Sequence, residues 1–524
     1  MRGILSSFNE RLSKLEENIL PVHKETVELQ RRQRNIDKVL RGLDNVISYH
    51  NVASKEDQDI RDGPGADVDS YIQSLIKVQD AIKFFEDNNP NSPELSLLTS
   101  LMETGREQME RSFRQFLALN SSPLEAETLI DLLNSNEEES TPQFKPINDE
   151  AIEDLSKIAA WLVTEAQSKD FMNVYSQIRS SVLMKTLQGL VEGHSLGKIE
   201  SYSPANIMIS PKLKQLSGIT PQRKSTMKRN LVRRVPSKAF EYTGNRKVNS
   251  PAAMFDLSTS KEDEDEIEAG RFITLSAALL KLLQSERTLI NLIICKEHRD
   301  GIFDVLIQNL IETLIVEGEV MENSARKLIA KREYFSLLPL LPVLKYVKSV
   351  LPLFSQALQG VRTPTQAAIP NLFVNLESVG AKALDDFTEN IKHEPDKQSN
   401  MPKDGTVHEL TSNTLIFLEH LLGYTDTVGN MLLNSESVMD PRIGDSVSPK
   451  TLVARYFGRV LGALGLNLEL KSKSYVTMLG QVALSGIFLL NNYNYILKGL
   501  QRLVSLIFYN IHFSMTDYRK IVRD

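Results

Sequence analysis

The amino-acid sequence predicts an all-α fold: an N-terminal coiled-coil helix followed by an elongated rod of stacked antiparallel helical bundles. Three observations carry this. A heptad repeat occupies the start of the chain, apolar residues further along recur every three or four positions, and no β-branched runs bounded by Asn-Gly or Asp-Gly turns occur, so no substantial sheet is expected. The composition agrees. At 524 residues, 41% hydrophobic, 7% aromatic and 24% charged, the chain suits a soluble helical protein of several domains rather than a hormone-sized peptide or an aromatic-rich β-sandwich.

The first element is the heptad arm, placed at residues 1–54. With Leu5 at position a and Phe8 at d, the seam contains Leu5, Phe8, Leu12, Leu15, Ile19, Val22, Leu29, Ile36, Leu40, Leu43 and Ile47. These are eleven of fourteen a and d positions; Thr26, Gln33 and His50 fill the rest. Seven heptads with so few polar members predict a coiled-coil interface, and Thr26 and Gln33 are positions where register or partner choice is fixed. Pro21 lies off the seam, where it bends the arm without removing an interface residue. The arm is about 70 Å long at ~1.5 Å per residue.

A first helical bundle is expected over 66–192. Tyr71, Leu75, Val78, Ile82 and Phe85 form one helical stripe, Leu95, Leu98, Leu101 and Met102 begin another, and helical period continues through Leu124–Leu133 and Ile152–Leu190, with an acidic loop at Asn134–Pro146 between them. Periodicity is lost at 193–262, which reads as a basic disordered linker. It returns for a second bundle over 263–400, interrupted by Pro342, Pro352 and Thr363-Pro364, and for the start of a third over 401–500. The third is expected to open on a capping box formed by Thr406 and Glu409, with Val407, Leu410, Thr414, Phe417, Leu418, Leu421 and Val428 on one face. Residues 501–524 are a divergent tail.

Catalytic and ligand-binding patterns are weak. Gly193-His194-Ser195-Leu196-Gly197-Lys198 is one residue too short for a phosphate loop and ends in Ile199 where a magnesium-binding hydroxyl belongs. Cys295 and His298 have half-site zinc spacing, but Cys295 is the sole cysteine of the chain, so a core thiol and a surface histidine on one helix are expected instead. Asp385-Asp386 are adjacent on a helix and point apart. His408-Glu409 lacks a second histidine four residues on, and there is no Gly-x-Ser-x-Gly elbow. No catalytic residue, cofactor or metal is therefore predicted, and the chain is read as non-enzymatic.

A lone cysteine and no N-terminal apolar stretch suggest a reducing cytosolic location. No window has the roughly 18–20 uncharged apolar residues that cross a bilayer. The richest, Leu484–Phe513, is broken by Asn491, Asn492, Asn494, Lys498 and Arg502 and is expected to form buried helices.

The net charge of −6 hides an asymmetry: residues 198–247 hold twelve Lys or Arg against Glu200 and Glu241, so the remaining chain stands at −16. Lys212, Lys214, Arg223, Lys224, Lys228, Arg229, Arg233 and Arg234 are the polyanion contacts this strip offers, to an acidic lipid surface above all. With only Phe240 and Tyr242 in its basic part, base stacking is not supported and no nucleic-acid partner is expected. Ser203, Ser210, Thr220 and Ser250 each precede proline and are candidate phosphorylation sites, where each phosphate adds about −1.5 to −2 charges.

Several segments resemble a known family. Lys14-Leu15-Glu16-Glu17-Asn18-Ile19-Leu20-Pro21-Val22-His23-Lys24, Leu43-Asp44-Asn45-Val46-Ile47-Ser48-Tyr49-His50, Asp170-Phe171-Met172-Asn173-Val174-Tyr175 with Ile178-Arg179-Ser180-Ser181, Gly380-Ala381-Lys382-Ala383-Leu384, the run Met401-Pro402-Lys403-Asp404-Gly405-Thr406-Val407-His408-Glu409-Leu410-Thr411-Ser412-Asn413, and Asn491-Asn492-Tyr493-Asn494-Tyr495-Ile496-Leu497 resemble the exocyst complex component 7 family of animals, in order, over most of residues 4–500. The resemblance implies a helical rod whose coiled-coil arm assembles with other exocyst subunits. It also implies tethering of secretory vesicles at the plasma membrane before fusion, through phosphoinositide binding and contact with a Rho-family GTPase, by a protein that is cytoplasmic and peripheral to that membrane. Beyond Lys498 the resemblance is expected to stop. On this reading the arm is shortened, the family's final bundle is absent, and phosphoinositide contact is weakened or lost with it. A second reading is a cytoskeletal or polyanion-binding coiled-coil adaptor that works through the basic linker.

Overall fold

The computed structural model describes residues 2–65, 67–134, 146–195, 202, 255–395, 401–433, 448–479 and 482–512. Among these residues the secondary structure is helical throughout, with no strand. The helices are α1 (Arg2–Asp62), α2 (Val68–Asn88), α3 (Pro93–Leu119), α4 (Ala126–Asn134), α5 (Asp149–Thr164), α6 (Asp170–Ser195), α7 (Phe255–Ile293), α8 (Arg299–Lys331), α9 (Leu340–Ala357), α10 (Thr363–His393), α11 (Glu409–Leu422), α12 (Thr425–Leu433), α13 (Pro449–Leu479) and α14 (Val482–His512). The chain divides into two compact units. One comprises Met1–Ser122, Lys145–Arg179 and Thr288–Ile302, the other Pro123–Phe144, Ser180–Arg287 and Phe303–Asp524.

In the first unit the end of α1 packs against α2 and α3, and α5 packs on the same two helices. Most of the stripes read from sequence become its core: Tyr71, Leu75, Val78 and Phe85 of α2 are buried with Leu98 and Leu101 of α3, joined by Met109 and Phe113, whereas Ile82, Leu95 and Met102 are only half-buried and Ala81 takes the place of Ile82. Asp67 caps α2 by accepting from the Ser70 amide at 3.1 Å, and proline occupies the first turn of α3, where its missing N–H costs nothing. Gly105 lets α3 approach the earlier helices, because a Cβ there would run into the Leu75 side chain and come within 3.3 Å of Ile60. Tyr71 donates its hydroxyl to the Ile60 carbonyl at 2.9 Å, and burial pushes its phenol well above the ordinary tyrosine range. The helical period read across Ile152–Leu190 is broken: α5 ends at Thr164, Gln167 takes a left-handed φ of 49°, and α6 begins at Asp170.

In the second unit α9, α10, α12 and α13 pack together, and α14 closes on α11 and α13. Glycines mark the tightest approaches. A Cβ on Gly429 would lie 2.7 Å from both Cα and O of Pro449, which joins α12 to the start of α13. The C-terminus of α10 is capped from α13. Asn467 Nδ2 donates to the Lys392 and Glu394 carbonyls, and the fully buried Lys471 reaches the Glu394 and Pro395 carbonyls at 3.4 and 3.5 Å. This places a cation at the negative end of a helix.

Several expectations need correcting. Pro342 and Pro352 do not interrupt the helix: both lie within α9, the former in its first turn where an amide has no partner to lose, and Pro364 starts α10. The capping box at Thr406 does not form. Thr406 instead donates through its hydroxyl (2.8 Å) and amide (3.2 Å) to Asp404, and the cap of α11 is His408, whose Nδ1 accepts from the Leu410 amide at 3.0 Å. Helix α7 begins at Phe255, inside the expected linker, and α14 runs unbroken past residue 500 to His512. Nor is the Leu484–Phe513 stretch simply buried. Phe488 and Asn492 face inward, but Leu490 and Leu497 of α14 are exposed. Phe335–Ala357, which includes Lys345 and Lys348, is long and apolar enough to cross a membrane, and 56% of its most apolar 18-residue stretch is buried in the second unit.

Candidate functional site

Helix α1 is the most conspicuous surface of the chain. From Tyr49 onward it is drawn into the first unit, with Tyr49 stacked on Phe84 at 4.5 Å and Glu56 and Ile60 buried. From Arg2 to Ser48 every residue is exposed. All eleven predicted seam residues belong to that exposed stretch: Leu5, Phe8, Leu12, Leu15, Ile19, Val22, Leu29, Ile36, Leu40, Leu43 and Ile47 are each between 49% and 63% solvent-accessible. Local interactions support the helix while leaving its apolar seam side chains free. Glu10 pairs with Lys14 at 3.9 Å and Glu28 with Arg32 at 2.9 Å, both four residues apart, and the Thr26 hydroxyl is satisfied by the Val22 carbonyl.

Burying a leucine-sized side chain fully is worth about 1.5–3 kcal/mol, so each half-exposed seam residue withholds on the order of 1 kcal/mol until another helix covers it. A continuous apolar stripe this long is the signature of a helix made to pack against others. The structure adds members that the heptad spacing does not include. Ile4, Val39 and Val46 are exposed beside the seam on one flank. Their signal is present in the sequence as the Val39-Leu43-Val46 spacing, but strict a/d counting passes over it.

The stem that presents this helix is polar at its edge. Glu56 of α1 pairs with Lys77 of α2 at 2.9 Å. Burial pushes the Glu56 carboxyl upward, but hydrogen bonds from Lys77 and Ser74 outweigh it and hold the group below its ordinary value. Glu94, hydrogen-bonded by the Ser92 hydroxyl and 3.4 Å from His50, is lowered too, chiefly by Ser92.

The remaining candidates are dispersed. Lys212, Lys214, Arg223, Lys224, Lys228, Arg229, Arg233 and Arg234 lie outside the described residues, as do Ser203, Ser210, Thr220, Ser250 and the loop at 135–145. Tyr202 is described, and its amide donates to the Thr274 hydroxyl at 2.8 Å. Gly193, His194 and Ser195 are simply the end of α6. Cys295 and His298 do not share a helix: they lie in the turn between α7 and α8, where the His298 amide donates to the Cys295 carbonyl at 3.2 Å, and Cys295 is half-buried rather than in the core. Among the described residues no group of three or more His, Cys, Asp or Glu is placed to hold a metal. Asp385 turns to Arg459 at 3.5 Å, while Asp386 faces Tyr334. The void lined by Tyr334, Leu341, Phe417 and Met431 offers about 20 Å³, room for roughly one water.

Helical bundles carrying a long exposed apolar helix define a protein of the helical-assembly class. Comparison with known proteins makes this specific. Residues 270–509 match the family of the C-terminal part of the Exo70 exocyst complex subunit, and residues 39–119 the family of the N-terminal part of exocyst complex component Exo70. Human exocyst complex component 7 is 36% identical, the alignment covering 96% of this chain and 75% of the human protein. The Drosophila melanogaster protein of the same name is 30% identical, covering 96% and 74%. A crystal structure of the S. cerevisiae exocyst component Exo70p shares the fold, with a TM-score of 0.58 at 14% identity over 87% of this chain and 77% of that one. The chain belongs to the Exo70 family of exocyst proteins. The family match continues to residue 509, beyond Lys498 where the resemblance was expected to stop.

Proposed function

We propose that this chain is a non-enzymatic subunit of the exocyst tethering complex that helps dock secretory vesicles at the plasma membrane before fusion. The exposed apolar seam of α1 carries this reading, because residues 2–48 are, among the described residues, all exposed and present a surface suited to helices of other exocyst subunits. Tethering of this kind is geometric: several weak contacts held at high effective concentration bring two membranes together without a catalytic pocket. The chain acts in the cytoplasm, peripheral to the plasma membrane. A Rho-family GTPase and phosphoinositide lipid are its further partners, the latter met in part by the basic strip at 198–247. Proline-directed phosphorylation at Ser203, Ser210, Thr220 and Ser250 offsets much of that strip's charge and so weakens lipid contact.

The experiment is co-purification of the full chain with the other exocyst subunits, comparing the parent with a Leu12→Asp, Leu40→Asp variant. Loss of assembly in the variant is expected. If assembly survived it, and deletion of residues 198–247 abolished all partner binding instead, the polyanion-binding adaptor would be the better account, a reading favoured by the strip's twelve cations against two acids.

A further inference from the structure

The seam is not the only ordered pattern on α1. Lys24, Arg31, Arg34, Lys38 and Arg41 follow one another at intervals of seven, three, four and three residues, which at ~3.6 residues per turn sets all five on two adjoining rows on the outer side of the helix, away from the seam. All five are exposed. Among the described residues none of them takes part in an ion pair or side-chain hydrogen bond, although Lys14 and Arg32 of the same helix do. The same two rows carry no Asp or Glu from Leu20 to Ser48. Of the acids on neighbouring rows, Glu28 is occupied by Arg32, and Asp37 and Asp44, four residues before and three after Arg41, form no ion pair among the described residues. The row extends about 26 Å at ~1.5 Å per residue.

Like charges three and four residues apart repel each other, so this row weakens α1 until counter-charges meet it. A straight, unpaired line of cations fits a flat and continuous array of anions. We propose that this face of α1 docks on an anionic phospholipid bilayer, with Arg31, Arg34 and Arg41 taking lipid phosphates bidentately and Lys24 and Lys38 adding point charge. The arm then lies along the membrane while its seam, on the other side, holds the partner helices. This rests on the reading that the seam, not the outer face, meets other subunits. The row has no aromatic side chain on which a base could stack, which disfavours nucleic acid.

The test uses the full chain and sedimentation with phosphatidylcholine vesicles, with and without phosphatidylserine, at about 0.1 M salt, where screening acts over ~10 Å. The variant carries Lys24→Gln, Arg31→Gln, Arg34→Gln, Lys38→Gln and Arg41→Gln together. The basic strip at 198–247 is common to parent and variant, so their difference isolates the row. Each cation near an acidic surface brings a gain of roughly fivefold before screening. At least tenfold weaker binding to phosphatidylserine vesicles is expected, with helix content and exocyst assembly unchanged. The Leu12→Asp, Leu40→Asp variant should do the opposite, keeping vesicle binding while losing assembly, which separates failure of this proposal from failure of the seam reading. Unchanged vesicle binding in the five-residue variant overturns the proposal. So does loss of vesicle binding in the seam variant, or a row that binds duplex DNA or an acidic polypeptide in preference to the vesicles.

Discussion

Substituting Gly429 by alanine separates helix propensity from packing, because the two predict opposite signs. Gly429 sits within α12, and alanine at an unhindered helix position is favoured over glycine by about 1 kcal/mol. At this position, however, the new methyl would lie 2.5 Å from Cβ and 2.7 Å from both Cα and O of Pro449. Backbone atoms cannot rotate aside as a side chain can, so α12 must move away from the start of α13. Overpacking of this kind costs typically 1–3 kcal/mol, and a backbone obstacle belongs at the upper end, leaving a net loss of about 1–2 kcal/mol after the propensity gain. Gly458 and Gly462 on α13 supply the control, since among the described residues nothing lies within 4 Å of a Cβ at either. Urea denaturation followed by far-ultraviolet circular dichroism should place Gly429→Ala below the parent and both controls at or above it. A Gly429→Ala protein as stable as Gly458→Ala would refute the packing argument.

Other consequences can be checked separately. Asn492 is fully buried and accepts from the His408 amide at 2.9 Å and the Thr411 hydroxyl at 2.7 Å, so Asn492→Ala should cost about 2–3 kcal/mol and speed amide exchange at the start of α11. The Glu56 carboxyl is held below its ordinary value in the folded chain, so its contribution to stability is complete above the unfolded value near 4.5 and is lost as pH falls through the lower folded one. Removing the ammonium with Lys77→Met leaves burial less opposed, and the acid-side decline in melting temperature should become shallower. Leu12→Asp and Leu40→Asp replace exposed residues and should shift the stability of the isolated chain by no more than about 0.5 kcal/mol, measured by the same denaturation.

The parts of the structure legible in the sequence are those governed by one dominant periodicity. The seam of α1 repeats over many turns, and the stripe from Tyr71 to Phe85 has a single buried face, so both can be placed from spacing alone. Local chemistry is harder. Thr406 and Glu409 have the spacing of a capping box, but Gly405 is left-handed at φ 69° and Asp404 captures the threonine, leaving the cap to His408, a residue type seldom used for it. Proline reads as a break, yet Pro342 occupies a first turn where no amide partner exists. Cys295 reads as a core residue by type, and only the turn between α7 and α8 exposes part of it. The row of cations behind the seam is written in the same heptads as the seam itself. Its significance depends on how few ion pairs its members make, which spacing does not disclose.

The central claim is that α1 is held exposed for other helices of the exocyst. Its most direct test is the affinity of the full chain for the remaining exocyst subunits, measured for the parent and for Leu12→Asp, Leu40→Asp. Charging two seam positions removes on the order of 1 kcal/mol of apolar burial at each and adds the cost of burying a carboxylate, so at least a hundredfold loss is predicted with the fold intact. Equal affinity in the two proteins would contradict the account.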